Sequence, residues 1–328
     1  MKRYCCLILL LVVVTTVWGQ TTPQRIPVHD PVIIKQDSMY YIFCTGKGVN
    51  VWSSKNRVNW KHEKPVFAAA PAWTLVEVPK TKPNEIWAPD ISFYHGRYYL
   101  FYASSVFGKN SSAIGVATNK TLHIDSPDFG WEDLGMVIKS IPGEDQFNAI
   151  DPNLMVDEKG QPWLTFGSFW NGIKLVRLSD DLKTVIDSKP WRTIATRHRN
   201  KNLPDSIAGS TAIEAPFLFR KNSYYYLFTS WDYCCRGPKS NYKMMVGRSK
   251  QIAGPYLDKA GVKLENGGGT LLLAGDKNWY GVGHNAVATF DGLDYIVFHA
   301  YDARDNGKSK LRIERLDWDK DGWPVVVK

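Results

Sequence analysis

The stretch APDISFYHGRYYLF (residues 88–101) decides the fold, because the chain contains five copies of its pattern. It reads as a hydrophobic strand, a tight polar turn at His95-Gly96 and a second strand rich in aromatic side chains. Four further stretches share this order: DPVIIKQDSMYYIF (30–43), DPNLMVDEKGQPWLTF (151–166), APFLFRKNSYYYLF (215–228) and HNAVATFDGLDYIVF (284–298). Their starts are separated by 58, 63, 64 and 69 residues.

Each copy is usually followed by a third apolar run, at residues 113–118, 173–178, 243–248 and 310–316. A repeat of about 60 residues with three or four strands is typical of a propeller blade. The sequence therefore predicts an all-β chain folded as a five-bladed β-propeller. A stacked β-sandwich is the alternative, but it does not explain why special residues recur at the repeat starts.

The repeat starts share one position in this predicted fold. The innermost strand of each propeller blade lines the central channel, so residues at the same end of these strands face one another across the axis. That places five residues in one ring: Asp30, Ala88, Asp151, Ala215 and His284. Glu214 precedes one of them directly, so three carboxylates are expected together at one end of the axis.

Clustered carboxylates are the groups that glycoside hydrolysis requires. One carboxylic acid protonates the leaving oxygen, and a second carboxylate activates water or attacks the sugar. Taken singly, Asp30 and Asp151 are ordinary turn residues before proline. Glu214 is more informative, because it enters an apolar strand, where a carboxylate without a role is costly. The shared register predicts hydrolysis of a polysaccharide.

The remaining candidates each have a second interpretation. His284 at the fifth repeat start is an axial metal ligand, a partner of a carboxylate, or a hydrogen-bonded core residue. Trp87, Phe107, Phe169 and Trp170 have flat faces that suit sugar rings, and aromatic core packing explains them equally well.

Residues 1–19 read as a secretory signal peptide. Lys2 and Arg3 precede an apolar run at residues 7–14 that is too short to span a bilayer, and small residues lead to a cleavage site before Gln20. A membrane anchor is the alternative. We expect a secreted or periplasmic protein without a membrane span, in which residues 20–328 form one propeller domain, and we expect a monomer.

Charge and cysteine content add little to this assignment. Loss of Lys2 and Arg3 lowers the formal charge from +9 to +7, and no Lys/Arg run is long enough to indicate nucleic acid. Three cysteines follow the signal segment, and adjacent Cys234 and Cys235 form either a vicinal disulfide or two thiols.

Several motifs together resemble glycoside hydrolase family 43, most closely its endo-1,5-α-L-arabinanases. They are HDP (29–31), NAIDPNL (148–154), GSFWNGI (167–173), IEAPFL (213–218), YCCRG (233–237), GHNAV (283–287) and the ending LDWDKDGWPVV (316–326). The resemblance covers nearly all of residues 20–328. It implies a five-bladed propeller that hydrolyses arabinan or arabino-oligosaccharides with inversion.

The resemblance also implies individual roles. It makes Asp30 the general base, Glu214 the general acid, and Asp151 the residue that orients the acid and modulates its pKa. It assigns His284 to a structural calcium ion on the axis, held largely by waters. Residues that match substrate-contacting segments are Asp30, Trp87, Ser112, Asn148, Ala149, Ile150, Asp151, Ser168, Phe169 and Trp170.

One segment departs from the family pattern. Residues 189–205 are strongly basic and lie just before Glu214, so they are expected to alter the cleft and leave endo or exo action open. An exo-acting arabinofuranosidase or β-xylosidase is the second interpretation. A non-catalytic carbohydrate-binding propeller is the third, although such a protein would be expected to have lost ring carboxylates, and here all three are present.

Overall fold

Tight hairpins build the inner half of each sheet. A computed structural model of the protein describes Met1 and residues 24–200, 202–204 and 206–327. In four of the five hairpins a two-residue turn joins the strands, and its first residue has positive φ: Asp37, His95, Asn222 and Asp291. Short polar residues and glycine tolerate this conformation, which matches the twist of the paired strands.

Twenty-one strands follow one another along the described residues. In the first third they are β1 (Val32–Gln36), β2 (Met39–Cys44), β3 (Gly46–Lys47), β4 (Asn50–Ser54), β5 (Lys61–His62), β6 (Glu85–Tyr94), β7 (Arg97–Ser105), β8 (Ser112–Asn119) and β9 (Glu132–Ser140). Next come β10 (Asn153–Val156), β11 (Pro162–Phe166), β12 (Ile173–Arg177), β13 (Arg192–Ala195), β14 (Ile213–Lys221), β15 (Tyr224–Trp231), β16 (Lys243–Ser249) and β17 (Thr270–Ala274). The last four are β18 (Trp279–Phe290), β19 (Leu293–Asp302), β20 (Lys308–Trp318) and β21 (Pro324–Val327).

These strands form five antiparallel sheets in sequence order. The sheets are β1-β2-β4-β5, β6-β7-β8-β9 with β3 added to its inner edge, β10-β11-β12-β13, β14-β15-β16-β17 and β18-β19-β20-β21. We call them blades I to V. Helical structure in the described residues is limited to α1 (Trp73–Glu77) and three 3₁₀ turns (Gly237–Lys239, Leu264–Asn266, Ala303–Asp305). The predicted five-bladed β-propeller is confirmed.

Two of the long stretches between the repeats contain regular structure. Residues 260–283 include β17 and the first part of β18, and residues 60–87 include β5, α1 and the start of β6. The inner strands of blades II and V thus begin before the repeat start and pass through a register shift there. The repeated sequence pattern begins at the repeat start, so it gives no information about strand pairing N-terminal to that residue.

In the part of the chain that the structure describes, the core consists of five apolar clusters, and each one lies between two neighbouring blades. No blade can bury both of its faces alone, so the free energy of apolar burial favours the closed ring. The last cluster closes the ring, because Ile26 and Val28 of the N-terminal segment pack there with side chains of blades I and V. Leu311 N–H also donates to the Ile26 carbonyl, over 3.0 Å.

No helix in the described part of the chain has the length and apolar character needed to cross a membrane. Apart from Met1, the predicted signal peptide (residues 1–19) lies outside the described residues.

Candidate active site

The five ring residues share one backbone conformation. Their φ angles are all positive: Asp30 52°, Ala88 41°, Asp151 56°, Ala215 53° and His284 52°. In three blades the residue lies at a β-bulge, where the register shifts between the flanking strand pairs. Bulges redirect side chains and recur near active sites. The repeat starts thus turn inward together, as their register predicts.

Side chains from adjacent blades hold this turn. The backbone N–H groups of four ring residues donate to side-chain atoms. These bonds run from Asp30 to His299 Nδ1 (3.1 Å), from Ala88 to Thr45 Oγ1 (2.8 Å), from Ala215 to Asp151 Oδ2 (3.0 Å) and from His284 to Ser230 Oγ (2.8 Å). Each bond crosses from one blade to the next, so the ring is a connected network.

Asp30 lies among hydrogen-bond donors. His29 Nδ1 and His284 Nδ1 approach Oδ1 at 2.8 and 2.9 Å, and the Thr45 hydroxyl donates to Oδ2 at 2.6 Å. Burial raises the pKa of Asp30, but the charges and hydrogen bonds of His29 and His284 outweigh it and hold the pKa well below its usual range. Asp30 is therefore ionised, and Oδ2 retains acceptor capacity.

Glu214 has the opposite tendency. Burial raises its pKa, the charge of Asp30 adds to this, and hydrogen bonds from Tyr242 and Ser168 oppose it. The Tyr242 hydroxyl lies 2.7 Å from Oε1 and the Ser168 hydroxyl 2.9 Å from Oε2. Glu214 therefore retains its proton at a higher pH than an exposed glutamate does.

Asp151 is connected to the residue that follows Glu214. Its Oδ2 accepts the Ala215 N–H, which couples its position to the inner strand of blade IV. Burial raises the pKa of Asp151 to about 8; the charge of His284 opposes the increase, while those of Glu214 and Asp30 add to it. Asp151 and Glu214 thus titrate as a pair in which loss of the first proton hinders loss of the second.

A cleft of about 340 Å³ opens above Glu214. Six of the predicted substrate residues line it, namely Trp87, Asn148, Ile150, Ser168, Phe169 and Trp170. The aromatic walls pair as Trp87 with Phe107 and as Phe169 with Tyr233, with ring centroids 6.4 and 6.3 Å apart. Volume alone does not identify the cleft, because a cavity of the same size beside Trp279 contains no ring residue.

Two predicted substrate residues lie beneath the cleft surface. Ser112 is fully buried, and its hydroxyl donates to Asn148 Oδ1 over 2.6 Å. Ala149 is also fully buried, and its N–H donates to the Ser140 hydroxyl. In this geometry both residues support the cleft wall from behind.

Sequence reasoning missed several partners of the carboxylates: His29, Thr45, Tyr242, His299 and Tyr301. A signal for one of them was present. Thr45, Ser168 and Ser230 each stand two positions after the phenylalanine near the end of a second strand, so the repeat alignment marks a shared hydroxyl position. Tyr242 ends the connection between β15 and β16, residues 232–242, which is longer than the corresponding connections at 106–111, 167–172 and 303–307, so the repeat alignment does not mark it.

The structure decides between the two states that the sequence allowed for the adjacent cysteines. Cys234 and Cys235 form a vicinal disulfide, and both line the cleft together with Tyr233 and Arg236.

The surroundings of His284 fit a hydrated cation better than a protein-built calcium site. Its Nδ1 is engaged by Asp30, so Nε2 is the nitrogen that an ion could bind. Burial lowers the pKa of His284, but the charges of Asp30 and Asp151 outweigh it and raise the pKa to about 9, so an ion would have to displace the Nε2 proton. Calcium prefers six to eight oxygen ligands. Neither candidate ligand group in the described residues includes His284. The adjacent Asn285 has a buried amide group with no hydrogen-bond partner among those residues, which axial water would satisfy.

A propeller that gathers an ionised carboxylate and a proton-retaining carboxyl group at one end of its axis, beneath an aromatic cleft, defines a glycoside hydrolase. The chain belongs to glycosyl hydrolases family 43, whose sequence model matches residues 24–324.

Several characterised proteins are similar to the chain. The extracellular exo-α-(1→5)-L-arabinofuranosidase ArbA of Cellvibrio japonicus is 50% identical over 303 residues, covering 92% of this chain and 87% of the relative. The extracellular endo-α-(1→5)-L-arabinanase 1 of Bacillus subtilis is 43% identical over 311 residues, covering 94% and 89%. The structure of Cellvibrio cellulosa α-L-arabinanase complexed with arabinohexaose superposes with a TM-score of 0.90 at 50% identity, covering 93% and 96%.

Proposed function

We propose that this enzyme hydrolyses α-1,5-linked L-arabinan by an inverting acid/base mechanism, with Asp30 as general base and Glu214 as general acid. The observation that carries the proposal is the opposite protonation tendency of these two carboxyl groups at one site. The pKa of Asp30 is lowered and that of Glu214 is raised. Environments that separate two pKa values in this way assign the base and the acid.

On the side of the attacking water, Oδ2 of Asp30 accepts a proton from that water. Oδ1 already receives two imidazole N–H bonds, so Oδ2 is the oxygen with acceptor capacity left for that water. The water oxygen attacks the anomeric carbon from the face opposite the leaving sugar. Attack on that face inverts the configuration at the anomeric carbon.

In the same step Glu214 donates its proton to the glycosidic oxygen as the bond to the anomeric carbon breaks. The Ser168 and Tyr242 hydroxyls orient the carboxyl group. Asp151 supports the acid in two ways, since it anchors Ala215 and its proton equilibrium is coupled to that of Glu214. Water then restores the proton to Glu214 and removes the one held by Asp30.

The cleft is suited to a sugar polymer. Trp87 and Phe169 contribute aromatic side chains to the wall, and Asn148 and Ser168 contribute polar groups. Apolar surfaces with a few polar groups are typical of ligand-binding clefts. Similarity to an arabinanase solved with arabinohexaose supports the choice of arabinan.

Endo action is our first proposal, and a specific observation favours exo action as the second. The relative at 43% identity is named an endo-arabinanase, whereas the one at 50% is named an exo-arabinofuranosidase. In addition, Arg197 of the basic segment 189–205 is bound over 2.6 Å to Asp232, which lines the cleft, and Ala208 lines the cleft just after that segment. A wall at this position would close one end of the cleft to the arabinan polymer, which would favour exo action.

Time-resolved product analysis on linear debranched arabinan distinguishes these cases. Endo action produces a mixture of oligosaccharides at early times, whereas exo action releases one small product from the start. Proton NMR of the first product tests inversion, because the released arabinose end must appear as the β anomer. Absence of any hydrolysis by a folded protein would refute the proposed function.

Export and a bound metal complete the proposal. Two relatives are described as extracellular, which supports secretion of this chain through residues 1–19. We also propose that Nε2 of His284 binds one hydrated calcium ion on the axis. Such an ion would offset the negative charge of the three carboxylates.

A further inference from the structure

A chain of hydrogen bonds runs from Asp30 to the wall of the cleft. His29 Nδ1 lies 2.8 Å from Asp30 Oδ1, and His29 Nε2 lies 2.9 Å from the Tyr301 hydroxyl. The same hydroxyl accepts the backbone N–H of Cys235 over 2.7 Å. Three successive contacts therefore link the carboxylate to the turn that carries the vicinal disulfide.

The direction of each bond follows from the chemistry of the groups. An ionised carboxylate only accepts, so His29 donates from Nδ1. When His29 is neutral, Nε2 accepts the Tyr301 proton, and when His29 is protonated, Nε2 donates to the phenolic oxygen instead. In both forms the phenolic oxygen has a lone pair for the Cys235 N–H. In both forms Nδ1 keeps its proton for Asp30, because the hydrogen bond at one ring nitrogen fixes the role of the other.

Packing fixes the His29 ring as well. The ring stacks on the buried His299 ring with centroids 4.0 Å apart, and His299 Nδ1 accepts the Asp30 N–H. Tyr301 is buried, while the His29 side chain is 26% exposed. The imidazole is thus held in position by its neighbours without being fully buried.

The outer end of this chain is the disulfide turn. Cys235 has a φ of 64°, a conformation that an ordinary side chain rarely adopts, and its sulfur lies 3.6 Å from His29 Nε2. The bond to Cys234 restricts the turn and so restricts the direction of the Cys235 N–H. Opening that bond would release this restriction.

We propose that His29 and Tyr301 are positioning residues that orient the Asp30 carboxylate and connect it to the Cys234–Cys235 turn, so that loss of this disulfide lowers turnover. The proposal rests on the proposed role of Asp30 as general base. A misplacement of about 1 Å at a reacting group can cost about a hundredfold in rate, so small rotations of this carboxylate matter.

Variants of Tyr301 and His29 test the first part. Tyr301→Phe is expected to lower kcat about tenfold with KM within about twofold, because the phenol orients the base indirectly. His29→Leu is expected to lose more. His29→Asn places an amide N–H near the position of Nδ1 and should recover most of the loss caused by leucine. Tyr94→Phe is the matched control, since its hydroxyl binds Asp180 away from the cleft over 2.7 Å.

A double-mutant cycle tests the connection to the disulfide. The paired change Cys234→Ser with Cys235→Ser is expected to lower kcat in the wild-type background and to add no further loss to Tyr301→Phe, because both act through one path. Treatment with a dithiol provides an independent route. The dithiol donates two electrons and two protons, leaves two cysteine thiols, and closes to its own cyclic disulfide, and it should lower kcat as the serine pair does.

The outcomes separate this proposal from the proposed function. If Asp30→Asn retains full activity, the assignment of the base fails, and the positioning role fails with it. If Asp30→Asn is inactive while Tyr301→Phe, His29→Leu and the serine pair keep wild-type kcat, only the positioning role is overturned. Melting temperatures identify variants that do not fold. If Tyr301→Phe or the serine pair does not fold, the comparison of His29→Asn with His29→Leu decides, because recovery of kcat by asparagine supports the proposal and equal kcat values contradict it.

Discussion

At the scale of the residue, two chemically similar carboxyl groups acquire different properties from their neighbours. Among the described residues, Asp30 receives N–H groups from two imidazoles and a hydroxyl from Thr45, whereas Glu214 receives two hydroxyl groups. Hydrogen bonds to a carboxylate favour its charged form, and burial disfavours it. The stronger donors at Asp30 decide the outcome there.

Replacing Glu214 by glutamine tests the acid. Glu214→Gln should lower kcat on arabinan by about 10²–10⁴-fold, because the amide keeps the shape but has no proton to donate. Aryl arabinofuranosides with good leaving groups should lose less, because their departure needs less protonation. Steady-state kinetics on both substrates checks this, with the exposed Glu132→Gln as control. Near-normal arabinan turnover would exclude the role.

Replacing Asp151 by asparagine should move the pH profile as well as lower activity. In the wild type the pair Asp151 and Glu214 holds its last proton to a higher pH than either group would alone, because the negative charge left by the first ionisation hinders the second. Without that charge Glu214 loses its proton at lower pH, so the alkaline limb of kcat should shift to lower pH. The pH profile of kcat measures this, with the exposed Asp128→Asn as control. An unchanged alkaline limb would leave Asp151 a purely structural role.

At the scale of the element, the hairpin pattern and the bulge contribute differently. Alternation of apolar residues and the two-residue turns specify the strands locally, which explains why all five hairpins were predicted from sequence. The left-handed residue at each ring position was not predicted, since Asp, Ala and His share no common signal for it. In blades II, IV and V, pairing with the neighbouring strand on both sides of that residue imposes the conformation.

Ala88 provides a test of this ring conformation. Ala88→Val is expected to destabilise the fold by about 1–3 kcal/mol, because a β-branched residue is strained at positive φ. It should also lower kcat, because Thr45 accepts the Ala88 N–H and donates to Asp30. Ala88→Gly is the matched control, since glycine adopts this conformation without strain. Urea unfolding and kinetics measure the two effects, and equal behaviour of valine and glycine would contradict the argument.

At the scale of the whole molecule, stability and the active site both depend on ring closure. Blade V and blade I meet through the apolar cluster that contains Ile26, and the same junction carries the contacts of Asp30 with His284 and His299. Opening the ring there would separate the general base from its donors. The N-terminal segment that follows the signal region therefore serves the site as well as the fold.

Truncating Ile26 tests closure. Ile26→Ala should lower the free energy of unfolding by about 2–5 kcal/mol, because a buried side chain leaves a cavity when truncated. The control is Ile186→Ala, since Ile186 is half exposed and should matter by less than about 0.5 kcal/mol. Chemical denaturation of both variants is the measurement. Equal effects would show that the segment is dispensable for closure.

A metal at the axis would add to this stabilisation. If one hydrated calcium ion binds His284, the purified protein should contain about one calcium per chain, and chelation should lower its melting temperature, because a ligand of the native state stabilises it. His284→Asn keeps a donor for Asp30 but removes Nε2, so it should lose the ion. Elemental analysis and thermal melts check this. A metal-free wild type whose stability and activity ignore chelator would refute it.

The sequence by itself determined the five hairpins, their register, and therefore the propeller and the ring of Asp30, Asp151, Glu214 and His284. These features follow from short-range periodicity that repeats along the chain, so each copy strengthens the prediction of the others. Family resemblance then supplied the expected roles.

Only the tertiary structure decided which groups control those carboxylates. Asp30 contacts His299 across 269 positions of sequence, and Cys235 reaches Tyr301 across 66. Such pairs come from different blades and from connections of unequal length, so no local pattern encodes them. They exist because the blades pack side by side and close into a ring, which brings distant loop residues to one end of the axis.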